Sequence, residues 1–189
     1  MRRPTLYLAL AAALVVPGLR AQDAAPQPAA PTPAAACLST ATLDQLITAI
    51  DAAVSGVANQ DRTCFRALFL PDARLIPIKA NKDGSATPTI LTVDDWINLV
   101  AKRGKLYLIE KQIKVSTESW AHVAHLWSTY ETHLGSADKS GEGKPTEGKL
   151  LDRGINSIQA IYDGKQWHVI EITWQAQTSD DPVPAKYLP

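Results

Sequence analysis

The sequence predicts an α+β fold in which helices come first and pack on one face of a long antiparallel sheet that follows. Apolar residues recur at helical spacing between residues 42 and 104. Four runs rich in β-branched and aromatic residues come after Gly104, and the last two are joined by the short turn Asp163-Gly164. With the two ends set aside, residues 38–178 remain, enough for one domain of ordinary size.

The ends read as something other than fold. Residues 1–21 carry Arg2 and Arg3, an apolar run from Leu6 to Val16, a break at Pro17-Gly18 and small Ala21, the anatomy of a secretory signal peptide. That run is about half of the roughly 20 residues a bilayer span needs, so cleavage and export to a periplasmic or extracellular space are expected. Residues 22–37, beginning "QDAAPQPAAPTPAAA", hold proline and small residues and read as an extended spacer. A Pro-rich tail, 179–189, closes the chain. Loss of residues 1–21 removes Arg2, Arg3 and Arg20 and no acid, so 19 basic residues become 16 against 19 acidic ones, a net charge near −3. Nucleic acid and anionic membrane surfaces, which select a basic excess, are therefore not expected as partners.

The elements follow in order. "TLDQLITAIDAAVSGV" puts Leu43, Leu46, Ile47, Ile50, Val54 and Val57 on one helical stripe, and Thr42 with Gln45 forms a capping box. A second, shorter helix is expected from Asp61 as its N-cap, with Phe65, Leu68 and Phe69 on one side and Pro71 as its stop. "ARLIPI" and "TPTILT" read as short strands whose prolines confine them to an edge or a bulge. Thr92-Val93-Asp94-Asp95 opens a third helix through Trp96, Leu99 and Val100, which Gly104 ends. Strands are expected over 106–117, 119–134, 151–162 and 166–178, with 135–149, "GSADKSGEGKPTEGK", as a mobile surface loop or, alternatively, a lid.

Alternation in the last hairpin assigns Ile158, Ala160, Tyr162, Ile170, Ile172 and Trp174 to the helix-facing side, with Asn156 as the lone polar side chain there. The opposite parity, with Ser157, Gln159, Ile161, Trp167, Val169, Glu171 and Thr173, suits a dimer or partner surface. Cys37 and Cys64 invite a disulfide in an exported chain. A straight first helix nevertheless holds them farther apart than the roughly 7 Å that a bridge tolerates between Cα atoms, so they are expected unbridged unless the chain before Thr42 folds back.

With this order of elements, "LFLPDARLI", "TVDDWI", "HLWSTYE" and "RGINSIQAIYDGKQWHVIEITW" resemble the nuclear transport factor 2-like (NTF2-like) superfamily, and most nearly its SnoaL-like and DUF4440-like bacterial members, over residues 42–178. The resemblance implies a cone of helices and curved sheet, a pocket between them, and a homodimer through the other sheet face. Steroid-isomerase-like members carry an acidic base before a proline where "LPDARLIPI" offers Ile76 and Pro77, and the first helix, with Leu46, Ile47, Ile50 and Val54 inward, supplies no tyrosine. Three readings stand: a binder of a small apolar or amphipathic ligand or a protein partner; a cofactor-free lyase, isomerase or cyclase; and a structural dimer whose tail, "DPVPAKYLP", docks on a neighbour through Tyr187 and Leu188.

The candidate pocket residues are Trp96, His125, Trp127, Tyr130, Asn156 and Trp174. No metal is expected: on a strand His122 and His125 point to opposite faces, and His133 lies roughly 26 Å from His125. No histidine–carboxylate pair is expected within one strand, because Glu131 shares the face of His125 about 20 Å farther along and Tyr130 faces the other way. An Asp95, Arg153 and Asp152 set would match epoxide-hydrolase-like chemistry if the fold brought it together. No Ser-His-Asp arrangement and no glycine-rich phosphate loop is present, so no cofactor is expected.

Overall fold

The computed structural model describes residues 36–136 and 145–189; the expected signal peptide, most of the expected spacer and the centre of the expected 135–149 loop lie outside the described residues. Three helices, α1 (Leu43–Val54), α2 (Thr63–Ala67) and α3 (Val93–Ala101), accompany one seven-stranded sheet. Its strands are β1 (Gly56–Val57), β2 (Phe69–Ala80), β3 (Ala86–Pro88), β4 (Tyr107–Trp120), β5 (Val123–Ser136), β6 (Thr146–Tyr162) and β7 (Trp167–Ala176). They lie in the order β1-β4-β5-β6-β7-β2-β3, and every pairing is antiparallel except β2 with β7. The α+β expectation holds. No described helix is long and apolar enough to cross a membrane.

Both long helices begin where the capping boxes predict: Thr42 with Gln45, and Thr92 with Asp95, each exchange side-chain and backbone hydrogen bonds. The core lies between the helices and one sheet face, built from Leu46 and Ile50 of α1, Phe65 of α2, Leu75 of β2, Leu126 of β5, Ile158 of β6, and Val169 and Ile172 of β7. Each such fully buried side chain contributes about 1.5–3 kcal/mol relative to leaving it in water. At the end of α1, Arg62 lies buried and its guanidinium donates to the carbonyls of Ala53 (2.5 Å), Val54 (2.9 Å) and Val57 (3.2 Å). It thereby satisfies acceptors that the last helical turn leaves open, at its negative pole.

Several expectations are corrected. Asp61 does not cap α2; the capping position falls to Arg62, and Asp61 instead accepts bonds from the Thr63 amide and hydroxyl in a turn. Pro71 does not stop α2 either. The helix yields at Leu68, whose carbonyl accepts from the Val169 amide at 2.8 Å, so pairing with β7 draws Phe69 and Pro71 into β2. The register shift between Phe69 and Arg74, with Asp72 at φ 64°, absorbs Pro71 in a bulge.

The turn between β4 and β5 falls at Ala121-His122, not at Glu118, because Glu118 and Ser119 pair with His125 and Ala124. In β7 the register shifts opposite Gln159 and Ala160, which leaves Ile170 as an extra residue. That bulge reverses parity: Val169 enters the core with no exposure, and Ile170 turns outward at 38 % exposure. Finally, Cys37 and Cys64 are bridged, their Cα atoms 5.2 Å apart. The chain before Thr42 does fold back, held where the Thr40 carbonyl accepts the Trp167 amide at 2.8 Å.

Thr146–Lys149, expected in a loop, extend β6 and begin its pairing with Gly135 and Ser136. On the face away from the helices the tail returns across β4 and β5. The Tyr187 carbonyl accepts from the Thr129 hydroxyl at 2.6 Å, the Leu188 carbonyl from Lys114 Nζ at 2.7 Å, and the Tyr187 ring lies 5.8 Å from that of Trp127.

Candidate functional site

Alternation along β4, β5 and β6 carries Leu108, Glu110, Tyr130, Thr132, Asp152 and Asn156 to the helix-facing side. There they meet α1, α2 and α3 around a cavity of about 150 Å³. Its apolar wall comes from Ile50, Phe65, Trp96, Val100, Ile172 and Trp174, and Arg103 stands at the rim, exposed. Phe65 and Trp96 stack, centroids 4.2 Å apart, which ties α3 to α2 and forms one aromatic side of the space.

Gly154 explains how Tyr130 enters this wall. The two residues face each other across β5 and β6, and a Cβ on Gly154 would fall 2.8 Å from the Tyr130 hydroxyl and 2.2 Å from the Gln175 carbonyl oxygen. Only a residue without a side chain leaves the tyrosine its place over β6. The Tyr130 hydroxyl then reaches Asp152 Oδ2 at 3.4 Å.

Gln112 organises the polar wall. Its Oε1 accepts from the Ser128 hydroxyl and, at 3.1 Å, from the Asn156 amide nitrogen. Its own amide nitrogen is thereby turned toward Glu110 Oε1, at 3.4 Å, while the Thr132 hydroxyl donates to Glu110 Oε2 at 3.2 Å. The backbone amide of Gln112 donates to Asp51 of α1 at 3.1 Å. Two carboxyl groups, on β4 and β6, thus line the cavity, and a third, Asp51 of α1, acts on Glu110 from outside the lining.

Burial dominates their ionisation. It pushes the Glu110 carboxyl up to about 7, with the Asp51 charge adding to the effect and the bonds from Thr132 and Gln112 opposing it. Asp51 rises to about 6, again through burial and against its bonds to Gln112. Asp152 is raised by burial and held back by its backbone bond and by Arg103, and the Tyr130 phenol is raised by burial and by Asp152 and Glu110. Glu110 is half-buried and lines the cavity. A carboxyl group near 7 can take or give a proton at neutral pH.

The structure brings four of the six candidate pocket residues, Trp96, Tyr130, Asn156 and Trp174, to this cavity. His125 and Trp127 are on the opposite face: His125 Nε2 lies 3.1 Å from the Ser157 hydroxyl, and Trp127 packs under Tyr187 of the tail. Within β5 they alternate with Ala124 and Leu126, which are buried in the core. A histidine–carboxylate pair within one strand does exist, contrary to expectation: His133 Nε2 is 3.1 Å from Glu131 Oε2, two residues away on the face remote from the cavity. Asp95, Arg153 and Asp152 are dispersed; Asp95 caps α3, Arg153 pairs with Glu131, and only Asp152 reaches the cavity. Among the described residues no group of three or more His, Cys, Asp or Glu is arranged to hold a metal ion.

Glu110 and Gln112 were not anticipated, and Asp152 was considered only together with Asp95 and Arg153. Asp152 was within reach, since it stands four residues from Asn156 and so on the same strand face. Glu110 and Gln112 share the parity of Leu108 in the same way, but the shift between Gln112 and Lys114 reverses the pattern midway along β4.

No family model matches the chain, and no curated protein does. Solved structures do. A protein of unknown function from Mycobacterium tuberculosis aligns at a TM-score of 0.51 and 16% identity, covering 76% of this chain and 77% of that one. An NTF2-like protein of unknown function from Pseudomonas putida KT2440 gives 0.48 and 12%, over 78% and 94%. Another from Silicibacter pomeroyi DSS-3 gives 0.46 and 13%, over 71% and 92%. Likeness at such identity concerns the fold alone, and of these three alignments only that with the Mycobacterium tuberculosis protein exceeds a TM-score of 0.5, in keeping with an α+β arrangement of helices packed on one sheet.

Proposed function

We propose that the chain is an exported NTF2-like domain that binds one small, largely apolar molecule bearing a polar group, in the cavity between α1, α2, α3 and the sheet. The observation that carries this is the convergence of Glu110, Tyr130, Asp152 and Asn156 on one end of a space otherwise walled by aromatic and aliphatic side chains. A cavity of about 150 Å³ is of the size that holds a single aromatic ring. The Cys37–Cys64 bridge supports export, since such bridges persist in oxidising compartments.

The test is native mass spectrometry of the mature chain from an exporting host, with tryptophan fluorescence titrations of ring-sized compounds. A retained molecule, or a saturable signal weakened by Asn156→Ala and by Trp174→Ala, is the expected result. A chain that retains nothing and answers no compound overturns the reading.

A second reading, a cofactor-free isomerase or lyase, is supported by one observation: a cavity carboxyl pushed up to about 7 beside a tyrosine paired with an aspartate. In it Glu110 removes a proton from carbon, and the Tyr130 hydroxyl turns from Asp152 to donate to the oxygen on which charge develops. Exchange of solvent deuterium into a ring-sized ketone, lost in Glu110→Gln, is its signature; a wild-type chain that exchanges none excludes it.

A further inference from the structure

We infer that the guest of this cavity is a small organic cation, a protonated amine whose ammonium group is received by Glu110, Asp152 and the side-chain carbonyl of Asn156, and whose apolar body lies between Trp96 and Trp174. The inference rests on the reading of the cavity as a ligand site and names its ligand class.

The balance of donors and acceptors points this way. The hydroxyl donors of the polar wall are committed to the wall itself, Ser128 to Gln112, Thr132 to Glu110 and Tyr130 to Asp152, and the Asn156 and Gln112 amides each commit one of their two N–H groups, to Gln112 and Glu110. What is left over is mostly acceptor capacity. A carboxylate offers about four lone-pair sites, and Glu110 and Asp152 use few of theirs. Asn156 is only 6 % exposed, and its side-chain oxygen accepts no hydrogen bond among the described residues. The guest that complements such a wall arrives with N–H donors.

Charge points the same way. Glu110 of β4 and Asp152 of β6 line the cavity and Asp51 of α1 stands behind Glu110, while Arg103, the one cation that lines it among the described residues, is solvent-exposed. A buried carboxylate without a partner is unfavourable, and an ammonium ion supplies the partner. Phe65, Trp96, Trp174 and Tyr130 line the space, and aromatic rings attract an organic cation. An anionic guest meets none of this.

The proposal predicts how affinity varies with pH. The groups facing Glu110 and its guest are Asp51 of α1, Arg103 beyond α3, Tyr130 of β5 and Asp152 of β6, with Lys111 acting on Asp51. Amine binding strengthens as pH rises through about 7, where Glu110 ionises, and weakens again only when the amine itself loses its proton near pH 9–10.

The experiment compares benzylamine, benzyl alcohol and benzoate, three ring-sized probes that differ in charge and donor capacity, by calorimetric titration of the mature chain at pH 8. Benzylamine is expected to bind about tenfold or more tightly than benzyl alcohol, and benzoate least. Glu110→Gln with Asp152→Asn should bring amine and alcohol to equal affinity while alcohol binding persists, which also shows that the variant is folded. Alcohol binding as tightly as amine in the wild type overturns the cation inference and leaves the pocket reading standing. Binding of none of the three overturns both.

Discussion

Glu110 occupies a position where a carboxylate is poorly accommodated, on β4 with Asp51 behind it and a cavity in front. Its carboxyl is pushed up to about 7 and that of Asp51 to about 6, whereas in an unfolded chain they titrate near 4.3 and 3.9. Between about pH 4 and pH 7 the folded protein therefore holds protons that the unfolded one has released, and stability falls as pH rises through that window. Burial raises each group, and each shift is worth on the order of 3 kcal/mol. Glu110→Gln removes the share of Glu110 and leaves that of Asp51. Melting curves from pH 4 to pH 8 should fall for the wild type and run flatter for the variant, which at pH 8 should melt several degrees higher; parallel curves would refute the assignment. The same residue shows what a sequence conceals. Asn156 was legible because a polar side chain interrupts an apolar face in a regular hairpin. Glu110 was not, because a charged residue in a strand is ordinarily turned to water and the shift after Gln112 hides which face is which.

At the level of elements, local chemistry announced the helices and long-range pairing decided their ends. The capping boxes of α1 and α3 lie wholly within four residues, so Thr42 and Thr92 could be read directly. The end of α2 depends on Val169, about a hundred positions away, and the inward turn of Val169 depends on a bulge that no spacing rule registers. The segment before α1 belongs to the same class. Its return toward α2 is set by the Thr40 bond to Trp167 and closed by the Cys37–Cys64 bridge across a separation of 27 residues. Closing a loop of that length restrains the unfolded chain by about 3–4 kcal/mol, so the double variant Cys37→Ser, Cys64→Ser should unfold at clearly lower denaturant. Its denaturant dependence should steepen, because an untethered unfolded chain exposes more surface. An unchanged midpoint would show that the bridge fastens a segment already held by Thr40.

For the whole molecule, the tail decides which part of the outer sheet face is open to another copy of the chain. The expectation of a homodimer through that face met a sheet whose centre is occupied: Tyr187 covers Trp127, and Thr129 and Lys114 hold the carbonyls of Tyr187 and Leu188. The free end of the β4–β5 hairpin is different, with Trp120 81 % and Val123 54 % exposed and Ile161 paired beside Val123. We propose that the homodimer forms there, since a tryptophan so exposed beside another large apolar residue gains most from burial against a second copy. Sedimentation equilibrium of three chains separates this from a dimer that uses the sheet centre. Trp120→Glu should sediment as a monomer, because a carboxylate cannot be desolvated in such a contact without a partner. Removal of residues 182–189 should leave the dimer intact while making Trp127 accessible to a fluorescence quencher. If instead the truncated chain falls to monomers and Trp120→Glu remains a dimer, the tail itself is the joint, and the contacts of Tyr187 and Leu188 pass between copies.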